Sequence, residues 1–202
     1  NLYMKFIGID LEGVLIPEIW VALSNKTGIS ELKLTTKDIA NYKELMKKRI
    51  ALLNQNNIKA DLLFQIASEI EPYDGAINFL SELRRNYQIV ILSDTFFNLS
   101  QPVFEKLQFP TVFCHELIVN DKQMVSGIKL CIENHKKLTI KAMNKLNFKT
   151  IAIGDSLNDI GMLEEANKGI LFRSSNEIIN KFPQFESYES YDELLNIIKS
   201  TF

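Results

Sequence analysis

Apolar residues gather along this chain in short bursts. Lys5 to Ile9 is one such run, ending in Asp10; Gln88 to Leu92 ends in Ser93-Asp94; Thr150 to Ile153 ends in Gly154-Asp155; Gly169 to Phe172 is a fourth. Each is strand-sized and rich in Ile, Val or Phe. Most are apolar at nearly every position, as parallel strands buried on both faces are. Residues 112–130 predict a further strand and a hairpin turning near Asp121-Lys122. Between the later runs the period lengthens to that of a helix. Ala76, Phe79, Leu80 and Leu83 share one face, and Val103, Phe104 and Leu107 mark another helix. Leu138, Ala142, Met143 and Leu146 mark a third, and Leu194, Ile197 and Ile198 a last one. Strands alternating with helices predict an α/β fold with a doubly wound, mainly parallel sheet.

One stretch breaks the alternation. From Val14 to Glu71 the pattern is helical with no convincing strand. Ile39, Tyr42, Met46, Ile50 and Leu53 step by three and four, and Leu62, Leu63, Ile66 and Ile70 do the same. The expected organisation is a core domain of residues 1–14 and 76–202, with a small helical domain, 15–75, inserted after the first strand. No internal repeat or low-complexity tract appears.

Composition narrows the picture. The 202 residues, 46% hydrophobic and 24% charged, suffice for one α/β core and a small insertion. A net charge of −2 gives no reason to expect nucleic acid or an anionic membrane as partner. The apolar runs are strand-length, far short of a membrane span, and no signal peptide is apparent. Cys114 and Cys131 give neither a disulfide framework nor a zinc spacing. A reducing cytoplasm is the expected compartment. Asn1-Leu2-Tyr3 is set aside as an expression remnant, with Met4 taken as the natural start. Nothing in the pattern fixes an oligomeric state.

The chemistry should lie where the strands end, because open α/β sheets bind ligands outside the carboxyl ends of their strands. Three polar clusters fall there: Asp10-Leu11-Glu12-Gly13, Ser93-Asp94-Thr95, and Gly154-Asp155-Ser156-Leu157-Asn158-Asp159. Asp10 and Asp155 brought together would repel unless a cation lay between them. Carboxylates, a backbone carbonyl and waters suit Mg²⁺. A carboxylate can also attack phosphorus, and Asp10 is the candidate. Glu12 can lean over the same site as general acid and base. Phosphoryl transfer needs donors and positive charge on the non-bridging oxygens. Ser93 offers a hydroxyl. Asn134-His135-Lys136-Lys137 offers a cation at a helix start, where anions bind, with Asn134 as N-cap and Lys137 as a rival to Lys136.

Plainer readings exist for each residue. Asp155 or Ser156 can simply cap a helix running through Met162 and Leu163. Glu18, after Pro17, can complement a helix dipole. Arg49 can snorkel from the edge of an apolar face. Cys114-His115 is read as structural, with no second pair to make a metal site.

Taken together, Asp10 and Glu12, Ser93, Lys136, and Gly154, Asp155 and Asp159 resemble the motifs of the haloacid dehalogenase superfamily of phosphatases. The helical insertion resembles the cap of its phosphoserine phosphatase branch. The segments Asp-Leu-Glu-Gly-Val-Leu-Ile-Pro-Glu-Ile-Trp (10–20), Val-Ile-Leu-Ser-Asp-Thr-Phe (90–96) and Phe-Pro-Gln-Phe (182–185) are similar to its bifunctional phosphoserine phosphatase/homoserine phosphotransferase subgroup. The resemblance runs along nearly the whole chain from Met4. It implies Mg²⁺ held by Asp10, the Glu12 backbone carbonyl and Asp155, with Asp159 behind them. It implies O-phospho-L-serine as substrate, its ammonium on Glu18 and its carboxylate on Arg49, with Asp94 and Asn158 also contacting substrate. Water or homoserine would accept the phosphate. The second acid is Glu12 where the broad superfamily has Asp; the subgroup also carries Glu. Two other expectations stay open: a different small phosphomonoester, such as a sugar phosphate or nucleotide, and a silent binding module.

Overall fold

The computed structural model describes residues 3–35, 38–39 and 41–202. Strand β1 (Met4–Ile9) is followed by helices α1 (Ile19–Thr27), α2 (Tyr42–Gln55), α3 (Ala60–Ser68) and α4 (Ala76–Asn86). Then come β2 (Gln88–Phe96), α5 (Gln101–Lys106), β3 (Val112–Val119), β4 (Val125–Lys129), α6 (His135–Lys145) and β5 (Phe148–Gly154). The chain closes with α7 (Ile160–Glu165), β6 (Lys168–Phe172), α8 (Asn176–Lys181), β7 (Glu186–Tyr188) and α9 (Tyr191–Thr201). The strands form one sheet in the order β4-β3-β2-β1-β5-β6-β7. Every pairing is parallel except that of β3 with β4. The expected doubly wound, mainly parallel sheet is present, with its hairpin at one edge.

Strand β1 lies at the centre because it is apolar on both faces. Ile7 and Ile9 enter one buried cluster with Ile91, Ile151, Ile153 and Phe172, while Phe6 joins Leu92, Ala152 and Leu171 in another. Alternate residues of the same strands feed the two clusters, so each covers one face of the sheet. Helices α4 and α9 close the first face; α6, α7 and α8 close the second. The strand order reverses between β1 and β5, the position at which such sheets bind ligands. Ile9 pairs with Ile153 there, and the amide of Asp10 donates to the Ile153 carbonyl at 2.9 Å. Asp10 and Asp155 therefore leave neighbouring strands at the same level.

The named elements between β1 and α4 are helical, with no named strand among the described residues. Asn41 caps α2 through its side chain, accepting from the Glu44 amide at 3.2 Å. This layer is tied to the β3–β4 hairpin. Asn54 Nδ2 donates to the Val125 carbonyl at 3.1 Å, and the Ala60 amide donates to the Gln123 carbonyl at 2.8 Å. No helix is long and apolar enough to cross a membrane, among the described residues.

Several expectations need correction. Ser93 and Asp94 do not follow β2; the strand runs on to Phe96, and its register against β3 shifts between Leu92 and Phe96. Helix α6 turns a different face inward: Leu138 and Leu146 are exposed, while His135, Lys136 and Ile140 are buried. Asn134 occupies the N-cap position in a left-handed conformation, φ 57°, and its side chain caps nothing. Leu62 is exposed, and Ile39 precedes α2 rather than lying on it. Strand β7 and helix α8 were not expected.

Candidate active site

The loop after β1 is built around Gly13. The chain turns there with φ +81°, and its amide donates to the Ile16 carbonyl at 2.8 Å. A side chain is excluded twice: by the left-handed backbone, and because a Cβ would lie 2.5 Å from Asp155 Oδ2. Gly13 thus lets the two acidic loops close on each other. Gly13→Ala is expected to displace Asp155, cutting turnover about 100-fold and costing roughly 1–3 kcal/mol. Steady-state kinetics and thermal melts would check this; near-normal turnover would refute it.

Asp10 is 3% exposed. Its Oδ1 accepts from the Leu11 amide at 2.8 Å and from Lys136 Nζ at 2.9 Å. Lys136, itself 4% exposed, also donates to Asp159 Oδ1 at 2.8 Å. Lys137 is exposed; of the two lysines, Lys136 is the one that reaches Asp10. Asp159 is fully buried and its Oδ2 accepts from the amides of Asp155 and Ser156 at 3.0 and 3.2 Å. It holds both the loop and the lysine. The glycine before the loop is forced, since a Cβ on Gly154 would sit 2.4 Å from Asp159 Cβ.

Asp155 differs from Asp159 in having unused capacity: its Oδ1 is buried with no hydrogen-bond partner. Carboxylate oxygens of Asp10, Asp155 and Asp159 lie within 4.8 Å of one another. Burial, the nearby Asp159 and the nearby Asp155 raise the Asp10 carboxyl well above its ordinary range, against the pull of Lys136. Burial, Asp159 and Glu18 push Asp155 up to about 8. Crowded, desolvated carboxyls with an orphaned oxygen fit a bound cation, which would reverse these shifts. An all-oxygen donor set selects a hard ion.

Glu12 follows, half-buried, its Oε2 accepting from the Ile19 amide at 2.8 Å. Burial first, then Glu18, pushes its carboxyl up to about 8. Glu18 holds the N-cap position of α1, but its side chain caps nothing. Arg49 is buried and lies over the Trp20 ring at 4.4 Å. Its Nη2 donates to the Leu34 carbonyl at 2.6 Å, and its Nε is buried without a partner. The side chain is not a surface snorkel.

Ser93 is buried, its Oγ accepting from the Thr95 amide at 3.2 Å. Asp94 collects donors. His115 Nε2 and His135 Nε2 face its Oδ1 at 3.3 and 3.1 Å. Asn158 Nδ2 donates to its Oδ2 at 3.0 Å, with Lys136 Nζ 3.9 Å away. Burial alone would raise Asp94, but Lys136 and these hydrogen bonds hold it well below the ordinary carboxylate range. The hydroxyl of Tyr42, on α2, donates to the Asp94 carbonyl at 2.8 Å.

A chamber of about 320 Å³ gathers Asp10, Glu12, Glu18, Arg49, Ser93, Asp94, Lys136, Asp155 and Asn158 on one wall or another. Every candidate residue except Asp159 lines it. Sequence reasoning missed Trp20, counted Tyr42 only as an apolar-face residue, set His115 aside as structural and passed over His135. The His-Lys pair opening α6 was the available signal for His135.

Such a chamber sets a buried carboxylate, a half-buried acid and a lysine bonded to that carboxylate side by side, the kinds of group phosphoryl transfer needs. A family model of haloacid dehalogenase-like hydrolases matches residues 4–167. Phosphoserine phosphatase ThrH of Pseudomonas aeruginosa is 43% identical over 191 residues, 95% of this chain and 93% of that one. A phosphoserine phosphatase of Pseudomonas syringae pv. tomato is 44% identical over 92% of this chain and 78% of its own. A solved structure described as a phospho-aspartyl intermediate analogue of phosphoserine phosphatase superposes with TM-score 0.79 at 22% identity, covering 96% of this chain and 99% of that one. The chain belongs to the haloacid dehalogenase-like hydrolase family.

Proposed function

We propose that this chain is a Mg²⁺-dependent phosphoserine phosphatase working through an aspartyl-phosphate on Asp10, and that it also passes the phosphate to homoserine. The observation that carries the reading is the chamber itself: the nucleophile, acid, lysine and metal carboxylate share about 320 Å³ with Glu18 and Arg49. The names of the relatives from the two Pseudomonas species support the substrate.

Asp10, the Glu12 carbonyl and Asp155 are proposed to hold Mg²⁺, with Asp159 bracing them. When bound, the ion supplies charge stabilisation for the transferring phosphoryl group and relieves the repulsion between the carboxylates. The chain's own groups do the rest. Lys136 and Ser93 orient the phosphoryl oxygens, and Asp10 attacks phosphorus through one carboxylate oxygen. A pKa near 8 keeps Glu12 protonated at neutral pH, so it can give its proton to the departing serine oxygen. Ionised by that step, it takes a proton from water or from the homoserine hydroxyl, which then attacks the aspartyl-phosphate.

Residues 15–75 are proposed to act as the cap that selects the substrate. Arg49 would receive the substrate carboxylate, for which its unpaired Nε is available. Glu18 would receive the ammonium, with Asp94 and Asn158 completing the wall.

Three measurements test this. Phosphoserine turnover should disappear in EDTA and return with Mg²⁺; activity indifferent to EDTA rejects the metal. With homoserine added, phosphohomoserine should form at the expense of free phosphate. Equal rates on phosphoserine and on sugar phosphates would reject the amino-acid reading.

A further inference from the structure

His115 lies on β3, outside every motif that carries the chemistry, yet its ring is fixed on three sides. The Cys131 amide donates to its Nδ1 at 3.1 Å. An accepting Nδ1 places the ring proton on Nε2, and that N–H faces Asp94 Oδ1 at 3.3 Å. The ring also packs on Tyr42, centroids 5.6 Å apart, and Tyr42 in turn holds the Asp94 carbonyl. His115 therefore touches Asp94 and the α2 residue that bonds Asp94 from the other side.

Asp94, His115 and His135 have the composition of a metal site, but His115 argues against one. A ligating nitrogen needs its lone pair free while the other ring nitrogen donates; here Nδ1 accepts. His135 bonds the same Asp94 oxygen, but among the described residues its Nδ1 has no hydrogen-bond partner, so no hydrogen bond holds its ring from behind. His115 is the member of the cluster anchored to the backbone.

We propose that His115 is a positioning residue for the Asp94–Asn158 wall of the chamber. It sets the Asp94 carboxylate, and through Asp94 the Asn158 amide, beside the Tyr42 ring; the reading above gives this wall to the amino-acid portion of the substrate. This rests on the phosphoserine reading above. Loss of a hydrogen bond to a charged group is worth about tenfold or more in binding.

The test compares wild type, His115→Phe and His115→Gln, on phosphoserine and on para-nitrophenyl phosphate, whose leaving group has no ammonium or carboxylate. Phenylalanine keeps the bulk and loses the N–H; glutamine keeps an N–H donor. His115→Phe should raise KM for phosphoserine about tenfold, with kcat within about threefold. Its kinetics on para-nitrophenyl phosphate should stay within about threefold of wild type. His115→Gln should recover most of the KM. An unchanged KM in His115→Phe overturns the proposal. So do equal losses on both substrates in both variants with a lowered melting temperature, which mark a purely structural role. Wild type that cleaves para-nitrophenyl phosphate but ignores phosphoserine instead overturns the substrate reading, and is told apart by that arm alone.

Discussion

Asp10→Asn is expected to abolish turnover, by about four orders of magnitude or more, in a protein that still folds. The amide cannot attack phosphorus as a carboxylate does, and no other carboxylate stands in its place. Asp155 lies beyond Gly13 with its own oxygen unused, and Asp159 is occupied by Lys136 and two amides. The fold should survive because Asn retains an oxygen able to accept from the Leu11 amide and Lys136. Removing a carboxylate from a crowded, buried site also relieves repulsion, so the melting temperature without metal should hold or rise. Stopped-time phosphate release and a thermal melt decide the matter together. Full activity would remove Asp10 from the mechanism; an unfolded variant would leave its chemical role without support.

Lys136→Met is expected to damage both activity and stability. The ammonium bridges Asp10 and Asp159 at 2.9 and 2.8 Å, with the lysine itself only 4% exposed. Breaking a buried ion pair by removing one partner costs about 3–5 kcal/mol, because the remaining charge is left without compensation. Two carboxylates are left here. Denaturant unfolding should report a loss of that order, and phosphoserine turnover should fall by at least about 1,000-fold. Lys136→Arg should not restore activity: a planar guanidinium does not replace a compact ammonium held between two carboxylates. Wild-type stability in Lys136→Met would mean that Asp10 and Asp159 do not depend on it.

The sequence made the centre of the molecule legible and blurred its edges, for one physical reason. Strands β1, β2, β5 and β6 each have a stretch buried on both faces, so each carries an apolar run that stands out. Strand β7 is Glu-Ser-Tyr at the rim of the sheet, with too little burial to leave a signature. Helix α6 was found but turned wrongly. Its inward first turn carries His135 and Lys136, polar residues tolerated there because carboxylates await them. A pattern that equates burial with apolarity reads such a face as outward. The site followed the same division. Asp10, Glu12 and Asp155 sit in local motifs and line one chamber. His115 meets Asp94 only because β3 pairs with β2, a contact between residues far apart in sequence. Trp20 reads as an ordinary aromatic until Arg49 is seen lying across it.

The pairing of β1 with β5 has a consequence for how the enzyme comes into being. Asp10 and Asp155 meet only when two strands separated by most of the chain lie side by side, and contacts of such long range are intrinsically slow to form. The strand bearing Asp10 must wait, flanked by β2, until the strand bearing Asp155 arrives. A nascent or truncated chain ending before β5 would hold Asp10, Glu12, Ser93 and Lys136 and still lack an active centre. Recovery of catalysis during refolding should therefore trail the return of helical signal, and the first turnover would mark the closing of the sheet.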